Sequence, residues 1–398
     1  MKHDVIEFAV PSIGQDEINE VVETLKSGWI TMGAKTKKFE ELFAAFLGIK
    51  YAISVNSATS GLHLALDCCG IKEGDEVILP TMTFVATAEA VEYLGAKPVL
   101  VDCDEKTFNL SVEDVKKKIT PKTKAIIPVH MAGQPADILD IINIAKGTSI
   151  KIIEDAAHAL PSRINNKIIG SIGDATVFSF YATKTLTTGE GGMITTDDGD
   201  IANNAQIKRL HGMDKDAWKR YDNSGSWEYD VTKLGYKYNM TDIMASIGIH
   251  QLTKVNSFRD RRAYIAQRYT DAFSKIDEII TPFVHNDIQH SWHLYIIKLN
   301  LNVLSLTRND FMNELKNLKV NTSVHFKPLH MFSYFKNKYD YSNADFPNAS
   351  SLFDRIVSLP IYPSMTEEDI NYVIDVVIQT VHKNKKLKER QSPNVPII

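Results

Sequence analysis

The sequence predicts an α/β protein: a mixed, mainly parallel sheet of about seven strands covered by helices, followed by a smaller C-terminal α/β domain. Three observations carry this. From about residue 50 short apolar runs alternate with helical stretches, and several of those runs lack the polar alternation of a sheet with one wet face. Past residue 239 the rhythm gives way to a long helical stretch and a new set of elements.

The elements follow in order. "YAISV" reads as a strand that runs into the helical "SATSGLHLALDCCG"; "DEVILP" leads to "ATAEAVEYLG", and "KPVLVD" to "SVEDVKKKIT". "KAIIPVH", "ADILDIINIAKG", "IKIIED", "ATVFSF" and "GGMITT" continue the pattern. Strands of this kind belong to a sheet buried on both faces. Residues 239–275 read as one long helix, or a pair, leaving the large domain. Beyond them "SWHLYIIKLN" reads as a strand, and "TRNDFMNELKNLKV" and "TEEDINYVIDVVIQTVHKN" as helices, with Thr366 and Asp369 at the spacing of a capping box. The expected division is 1–255 for the large domain, including the N-terminal segment, and 256–398 for the small one.

Composition narrows the function. The chain has 398 residues, 44% of them hydrophobic, and a net charge of -4, so no overall basic field draws it to nucleic acid or to an acidic membrane. The basic run "KNKKLKER" near the C-terminus is too short to mark a nucleic-acid site. The first residues lack the apolar core of a secretory signal, and no apolar run reaches the ~18 residues that span a bilayer, so a cytoplasmic protein is expected. Cys68, Cys69 and Cys103 form neither an even set nor a spaced ligand motif. Neither a disulfide scaffold nor a metal site is expected from them.

The chemistry centres on "FSFYATKTLTTGEGG", residues 178–192, which sets Lys184 between an apolar strand and a glycine-rich turn. An exposed loop lysine is the plain alternative, and the neighbours must decide. "IKIIED" ends in Asp155, where an acid stands just beyond the carboxyl end of a strand, the place at which open α/β sheets bind ligands; a turn or capping aspartate is the other reading. "SVNSATSGLHLAL" puts Thr59, Ser60 and Gly61 in the first turn of a helix, where free N–H groups and hydroxyls suit a phosphate, although such residues also cap helices that bind nothing. "TMTFVATA", after "DEVILP", offers Phe84 to lie on a flat ligand, or to fill the core. Together the four features describe a planar ring with a phosphate at one end, a nitrogen facing a carboxylate, and an aldehyde within reach of a lysine. Pyridoxal 5'-phosphate has all of these.

"SVNSATSGLHLAL", "PTMTFVATAEA", "IIEDAAHA", "GDATVFSFYATKTLTTGEGGMITT" and "LGYKYNMTDIMASIG", within a span from "GWITMGAKTKKFE" to "LPIYPSMTEEDI", resemble the DegT-type nucleotide-sugar aminotransferases, which are fold type I pyridoxal phosphate enzymes. The resemblance implies that Lys184 is the Schiff-base lysine and Asp155 the partner of the pyridine nitrogen, with pyridoxamine 5'-phosphate as the intermediate form of the cofactor. It implies Phe84 as the stacking ring and Thr59, Ser60 and Ser179 as phosphate ligands. His158 falls near the cofactor's phenolic oxygen, where relatives often have glutamine. In "LGYKYN" many relatives carry an asparagine where this chain has Lys237, with Asn239 two residues further on. One of these would reach the cofactor phosphate of the partner subunit in a homodimer with shared sites; a surface lysine is the alternative for Lys237.

The substrates implied are L-glutamate and a nucleotide-linked 4-keto sugar, on the way to amino sugars and surface polysaccharide. "LHGMDKDAWKRY" and "GYKYNMTD" lean toward a UDP-linked one. Trp218, Tyr221 and Trp227, and His325 and His330 of "TSVHFKPLH", are candidate sugar-nucleotide contacts, although aromatics on a long loop can equally pack on the domain surface. Two other readings remain. A pyridoxamine phosphate-dependent dehydratase of this fold has histidine in place of the lysine, so Lys184 argues against it; a non-catalytic protein that only holds the cofactor need not keep both Asp155 and Lys184.

Overall fold

A computed structural model describes residues 5–214 and 229–386. Helices α1 (Gln15–Ser27) and α2 (Ala34–Leu47) precede the first strand, β1 (Tyr51–Val55). Strand and helix then alternate through α3 (Ala58–Cys68), β2 (Glu76–Pro80), α4 (Ala86–Glu92), β3 (Lys97–Val101), α5 (Val112–Lys118), β4 (Thr123–Ile126), α6 (Ile138–Ala145) and β5 (Lys151–Asp155). A short hairpin, β6 (Arg163–Ile164) with β7 (Lys167–Ile168), comes before β8 (Ala175–Ser179) and β9 (Gly192–Thr196). Helices α7 (Gly199–Lys208) and α8 (Asp242–Phe273) follow.

The large sheet has seven strands in the order β1-β9-β8-β5-β4-β2-β3. Only β9 runs against its neighbours, pairing antiparallel with both β1 and β8. All other strands therefore point the same way, and the loops at their carboxyl ends gather on one side. Successive strand residues face opposite sides and both sides are buried. Ile53, Val77, Ala125, Ile153 and Val177 join one core cluster; Ala52, Ile78, Ile126, Ile152 and Phe178 join another. Two covered faces leave no position for polar alternation, which is why these strands read as continuous apolar runs.

Residues 239–275 hold one helix, α8, of 32 residues. Its start is fixed twice. The Thr241 side chain accepts from the N–H of Met244, and the Asp242 carboxylate accepts from the N–H groups of Gly33, Lys35 and Thr36 at distances of 2.8, 3.1 and 2.9 Å. Those are the orphan donors at the start of α2, so α8 caps a helix far away in sequence.

Beyond α8 come β10 (Ile279–Ile280), β11 (Ile288–Gln289), β12 (Tyr295–Leu299), α9 (Arg308–Asn317), α10 (Ser333–Tyr339), α11 (Pro347–Phe353), β13 (Ile356–Leu359) and α12 (Glu367–Lys383). The Thr366–Asp369 capping box is formed at the start of α12. β12 lies between β10 and β13. Its Tyr295, Ile297 and Leu299 face a third cluster with α8, α9 and α12, while Ile296 faces the first cluster. Residue 255 falls inside α8. Ile6 bridges to Val320 and packs in the third cluster, so the start of the chain lies against the C-terminal layer. Among the described residues, no helix is long and apolar enough to cross a membrane.

Gly248 of α8 faces α2, and a Cβ there would stand 2.6–2.9 Å from the ring of Phe39, which is wholly buried. Alanine in place of a mid-helix glycine ordinarily stabilises by about 1 kcal/mol. Overpacking a rigid core costs about 1–3 kcal/mol, and Phe39 has no room to yield. Gly248→Ala should therefore lower the midpoint of thermal or denaturant unfolding, and a raised midpoint would show that the α2–α8 contact relaxes freely.

Candidate active site

A cavity of about 340 Å³ opens at the carboxyl ends of β1, β2, β5 and β8, the strands whose following loops converge. After β1, Ser57 caps α3: its hydroxyl accepts from the N–H of Ser60 at 3.1 Å. Ser57 and Thr59 line the cavity, and the N–H groups of the first turn have no carbonyl to bond within the helix. Ser60 does not line it. Its hydroxyl proton is shared between Asn56 Oδ1 at 2.7 Å and the carbonyl of Ser57 at 2.8 Å, and Ser57, the cap of α3, lies on the wall instead.

After β2, the loop turns Phe84 outward, 57% exposed, against the cavity. After β5, Asp155 is buried, with Oδ2 accepting from the Thr87 hydroxyl at 2.9 Å and Oδ1 from the N–H of Ala157 at 3.1 Å. Burial pushes the Asp155 carboxyl above its usual range; the two hydrogen bonds and then the charge of Lys184 oppose that. After β8 come Ser179 and Lys184, both on the cavity wall. The Lys184 stem is enclosed and its amine faces the cavity, with a pKa lowered to about 8, chiefly by loss of water and against the attraction of Asp155. At pH 7 roughly one amine in ten is then neutral.

The glycine-rich turn has two separate causes. Gly189 adopts φ 81°, a left-handed conformation that side chains disfavour. At Gly192 a Cβ would stand 2.8–2.9 Å from the Phe178 carbonyl and the backbone of Ser57 and Ala58. Glycine there lets β9 press on the start of α3.

Three histidines close the wall: His158, His293 and His325. Burial depresses all three pKa values, that of His325 to about 4 and the others well below the usual range, and the positive charge of Lys184 adds to each shift. They are neutral at physiological pH. The rings of His158 and His293 are 4.4 Å apart, His158 stacks on Phe326 at 5.7 Å, and Phe326 lies 6.0 Å from Phe84. His325 stacks on Phe8 and bonds Ser358 Oγ through Nδ1 at 2.9 Å.

The structure thus brings Thr59, Phe84, Asp155, His158, Ser179, Lys184 and His325 to one cavity. Lys237 and Asn239 are elsewhere: Lys237 is exposed and its Nζ donates to Asn239 Oδ1 at 2.6 Å, while Tyr236 and Tyr238 on either side stack on one another. Trp218, Tyr221 and Trp227 lie outside the described residues. His330, expected as a substrate contact, does not line this cavity: it is 1% exposed and bonds Thr81 and Ser350. Sequence reasoning passed over Ser57, Thr87, His293, Phe326 and Phe8. Ser57 and Thr87 sit inside motifs already singled out, and Phe326 is next to His325; Phe8 and His293 carry no local signal.

The sequence profile of the DegT/DnrJ/EryC1/StrS aminotransferase family matches residues 11–378. The spore coat polysaccharide biosynthesis protein SpsC of Bacillus subtilis is 46% identical over 377 residues, covering 94% of this chain and 97% of SpsC. Among solved structures, Spr1654 of Streptococcus pneumoniae in its PMP form superposes with a TM-score of 0.88 at 36% identity, covering 95% of this chain and 99% of that one. Its PLP form superposes equally well. Helicobacter pylori PseC, an aminotransferase involved in the biosynthesis of pseudoaminic acid, gives a TM-score of 0.89 at 27% identity, covering 96% of this chain and all of that one.

Only a neutral amine attacks an aldehyde. The rate at which cofactor-free protein captures added pyridoxal phosphate should therefore rise with pH and level off above about 8. In Asp155→Asn the attraction that favours the ammonium is gone, so this inflection should move to lower pH. An inflection that stays put or rises would show that the two groups do not sense each other.

Proposed function

The chain belongs to the DegT/DnrJ/EryC1/StrS aminotransferase family and its cofactor is pyridoxal 5'-phosphate; from there we propose that it moves an amino group from L-glutamate to the keto carbon of a nucleotide-linked 4-keto sugar, UDP being the favoured nucleotide. The observation that carries this reading is a water-poor cavity that holds one lysine amine opposite one buried carboxylate. The polysaccharide role in the name of SpsC and the part of PseC in the biosynthesis of pseudoaminic acid support an amino sugar as product. A cytoplasmic location goes with such a substrate.

The residues present fit the cofactor. Ser57, Thr59 and Ser179 would hold its phosphate at the start of α3, Phe84 would cover its ring, Asp155 would face its pyridine nitrogen, His158 its phenolic oxygen, and Lys184 its aldehyde. When bound, the cofactor supplies an electron sink for the pair left behind when a C–H bond next to the amine breaks. Asp155, as an anion with no bulk water around it, would favour a proton on the pyridine nitrogen by charge attraction. Thr87 and the N–H of Ala157 aim it. Lys184 Nζ would take the proton from the donor's amine-bearing carbon and return it to the cofactor carbon that carried the aldehyde, and a pKa near 8 suits an amine that must do both at neutral pH. Neutral histidines donate and accept hydrogen bonds without adding a positive charge that would disfavour the pyridinium.

Charge points beyond this chain. Among the described residues that line the cavity Lys184 is the one cation, yet the cofactor phosphate, the donor's two carboxylates and the nucleotide's diphosphate all need partners. We propose a homodimer with shared sites, in which Lys237 or Asn239 reaches the partner's cofactor phosphate. Trp218, Tyr221, Trp227 and His325 would meet the sugar nucleotide. We also propose the division at residues 255 and 256 into a cofactor-binding domain and a smaller C-terminal one.

Glutamate with UDP-, GDP- and dTDP-linked 4-keto sugars tests the reaction directly: the UDP-linked sugar should be aminated fastest, with one 2-oxoglutarate formed per amino sugar. Asp155→Asn should retain cofactor but lose turnover on the order of 10²-fold, the usual cost of removing a preorganised electrostatic partner. Glutamate converted with no keto sugar aminated would remove the acceptor; normal turnover of the variant would remove the role of Asp155.

The shared site makes a separate demand. Lys184→Ala and the double change Lys237→Ala with Asn239→Ala should each inactivate the homodimer, and subunit exchange between the two should restore up to one working site per mixed dimer. Mixed dimers that form yet stay inactive would place Lys237 on an ordinary surface.

A further inference from the structure

His330 has left the cavity wall but not the machinery. Thr81, the residue that follows β2, is pinned through each of its polar groups. Its N–H donates to the carbonyl of Val101 at 2.9 Å, its carbonyl accepts from the N–H of Leu329 at 2.8 Å, and its hydroxyl meets His330 Nδ1 at 2.7 Å. On the far side of the imidazole, Nε2 meets Ser350 Oγ at 3.1 Å, and that hydroxyl donates to the carbonyl of Asn343. With the Ser350 proton directed to Asn343, Nε2–H donates to Ser350 and Nδ1 accepts from the Thr81 hydroxyl; the opposite tautomer links the same three side chains. Thr81 and His330 are 0% and 1% exposed, and the ring stacks on Phe346 at 4.6 Å. Burial depresses the His330 pKa to about 4, which keeps this tautomeric relay neutral.

The two ends of the relay belong to the two aromatic walls. Phe84 stands three positions after Thr81, and Phe326 four positions before His330, their rings 6.0 Å apart. On its other side the Phe84 loop is tied by the Thr83–Thr87 hydroxyl contact at 2.8 Å, which continues to Asp155. We infer that His330 is a positioning residue: through Thr81 it fixes the separation of Phe84 from Phe326, and so the orientation of the cofactor ring held between Phe84 and Asp155. This rests on the reading of the cavity as the cofactor site.

Cofactor affinity of the full-length dimer, measured by absorbance titration of the cofactor-depleted enzyme, tests it together with the visible circular dichroism of the bound ring. Thr81→Val keeps the shape and removes the hydroxyl; it should weaken cofactor binding about five- to tenfold, the effect of one buried hydrogen bond. His330→Leu should weaken it at least as much, and combining the two should add less than about twofold because both break one link. His330→Asn, whose amide can accept at the Nδ1 position, should recover most of the affinity and the dichroism. Single variants with wild-type affinity and dichroism, fully additive effects, or His330→Asn no better than His330→Leu would overturn the inference. Should His330→Leu fail to fold, Thr81→Val and His330→Asn decide between the same outcomes: a Thr81→Val variant with wild-type affinity and dichroism, or a His330→Asn variant as impaired as Thr81→Val, overturns it. Phe84→Ala separates the two levels: weaker binding there with an unaffected Thr81→Val sinks the positioning role alone, whereas unchanged binding in Phe84→Ala sinks the assignment of the cavity and the inference with it.

Discussion

An amine and a carboxylate that share one water-poor cavity without touching are the constraint around which this structure is arranged. Lys184 and Asp155 form no hydrogen bond with each other; each is held by its own strand end, and each loses water without gaining a close ion partner. Collapse of the two into a contact pair would be the cheap solution, since a buried charge costs several kcal/mol unless it is paired. What prevents it is the sheet. Asp155 ends β5 and Lys184 follows β8, and these strands are hydrogen-bonded neighbours in parallel register, so their carboxyl ends lie side by side. Thr87 and Ala157 occupy the carboxylate from the other direction. Both groups are left on the wall of one cavity.

That arrangement demands rigidity on both sides of the sheet. Each face of the seven strands is covered, and the close approaches that bring the covers in are made by residues without side chains. Gly61 of α3 meets Val177 of β8, Gly248 of α8 meets Phe39 of α2, and Gly192 of β9 meets the start of α3. The C-terminal layer is not an appendage to this body. Asp102 accepts from the N–H groups of Asn348 and Ala349 at the start of α11, and the buried Arg262 of α8 donates to the carbonyls of Trp292, His293 and Ile361 around the entry to β12. His293 therefore reaches the cavity on a backbone gripped by a buried cation.

The legible part of the molecule is the part encoded by short-range pattern. Apolar runs located all seven strands of the large sheet, because burial on both faces removes every polar interruption. Asp155 and Lys184 were legible for a related reason: a charged residue at the end of such a run has nowhere to go but the loop side of the sheet. The illegible part depends on partners that are remote in sequence. His330 and His325 share the stretch "TSVHFKPLH", yet only His325 lines the cavity, and the hydrogen-bond partner of His330, Thr81, is 249 positions away. Helix α2 draws its N-terminal acceptor from Asp242, 209 positions beyond Gly33, so no local cap announces it. Ser60 and Ser57 are alike in sequence and differ only in which hydroxyl the helix uses for capping, a choice made by backbone conformation.

The charge balance of the cavity leads to a final step. The described wall offers hydroxyls, neutral imidazoles and apolar rings, with Lys184 as its one cation and Asp155 and Glu190 as its anions. Such a surface is suited to a neutral ring and to moving protons, and unsuited to gathering phosphates and carboxylates, whose desolvation has to be offset by positive charge. A second cation on this wall would also compete for the field of Asp155. Positive charge that arrives from outside the cavity, on the edge that meets the phosphates, avoids the conflict. Lys237 lies on the chain surface, outside the cavity wall, flanked by Tyr236 and Tyr238 packed against each other and against His63 of α3. Keeping further positive charge off this wall leaves Lys184 and Asp155 the electrostatics that proton transfer requires.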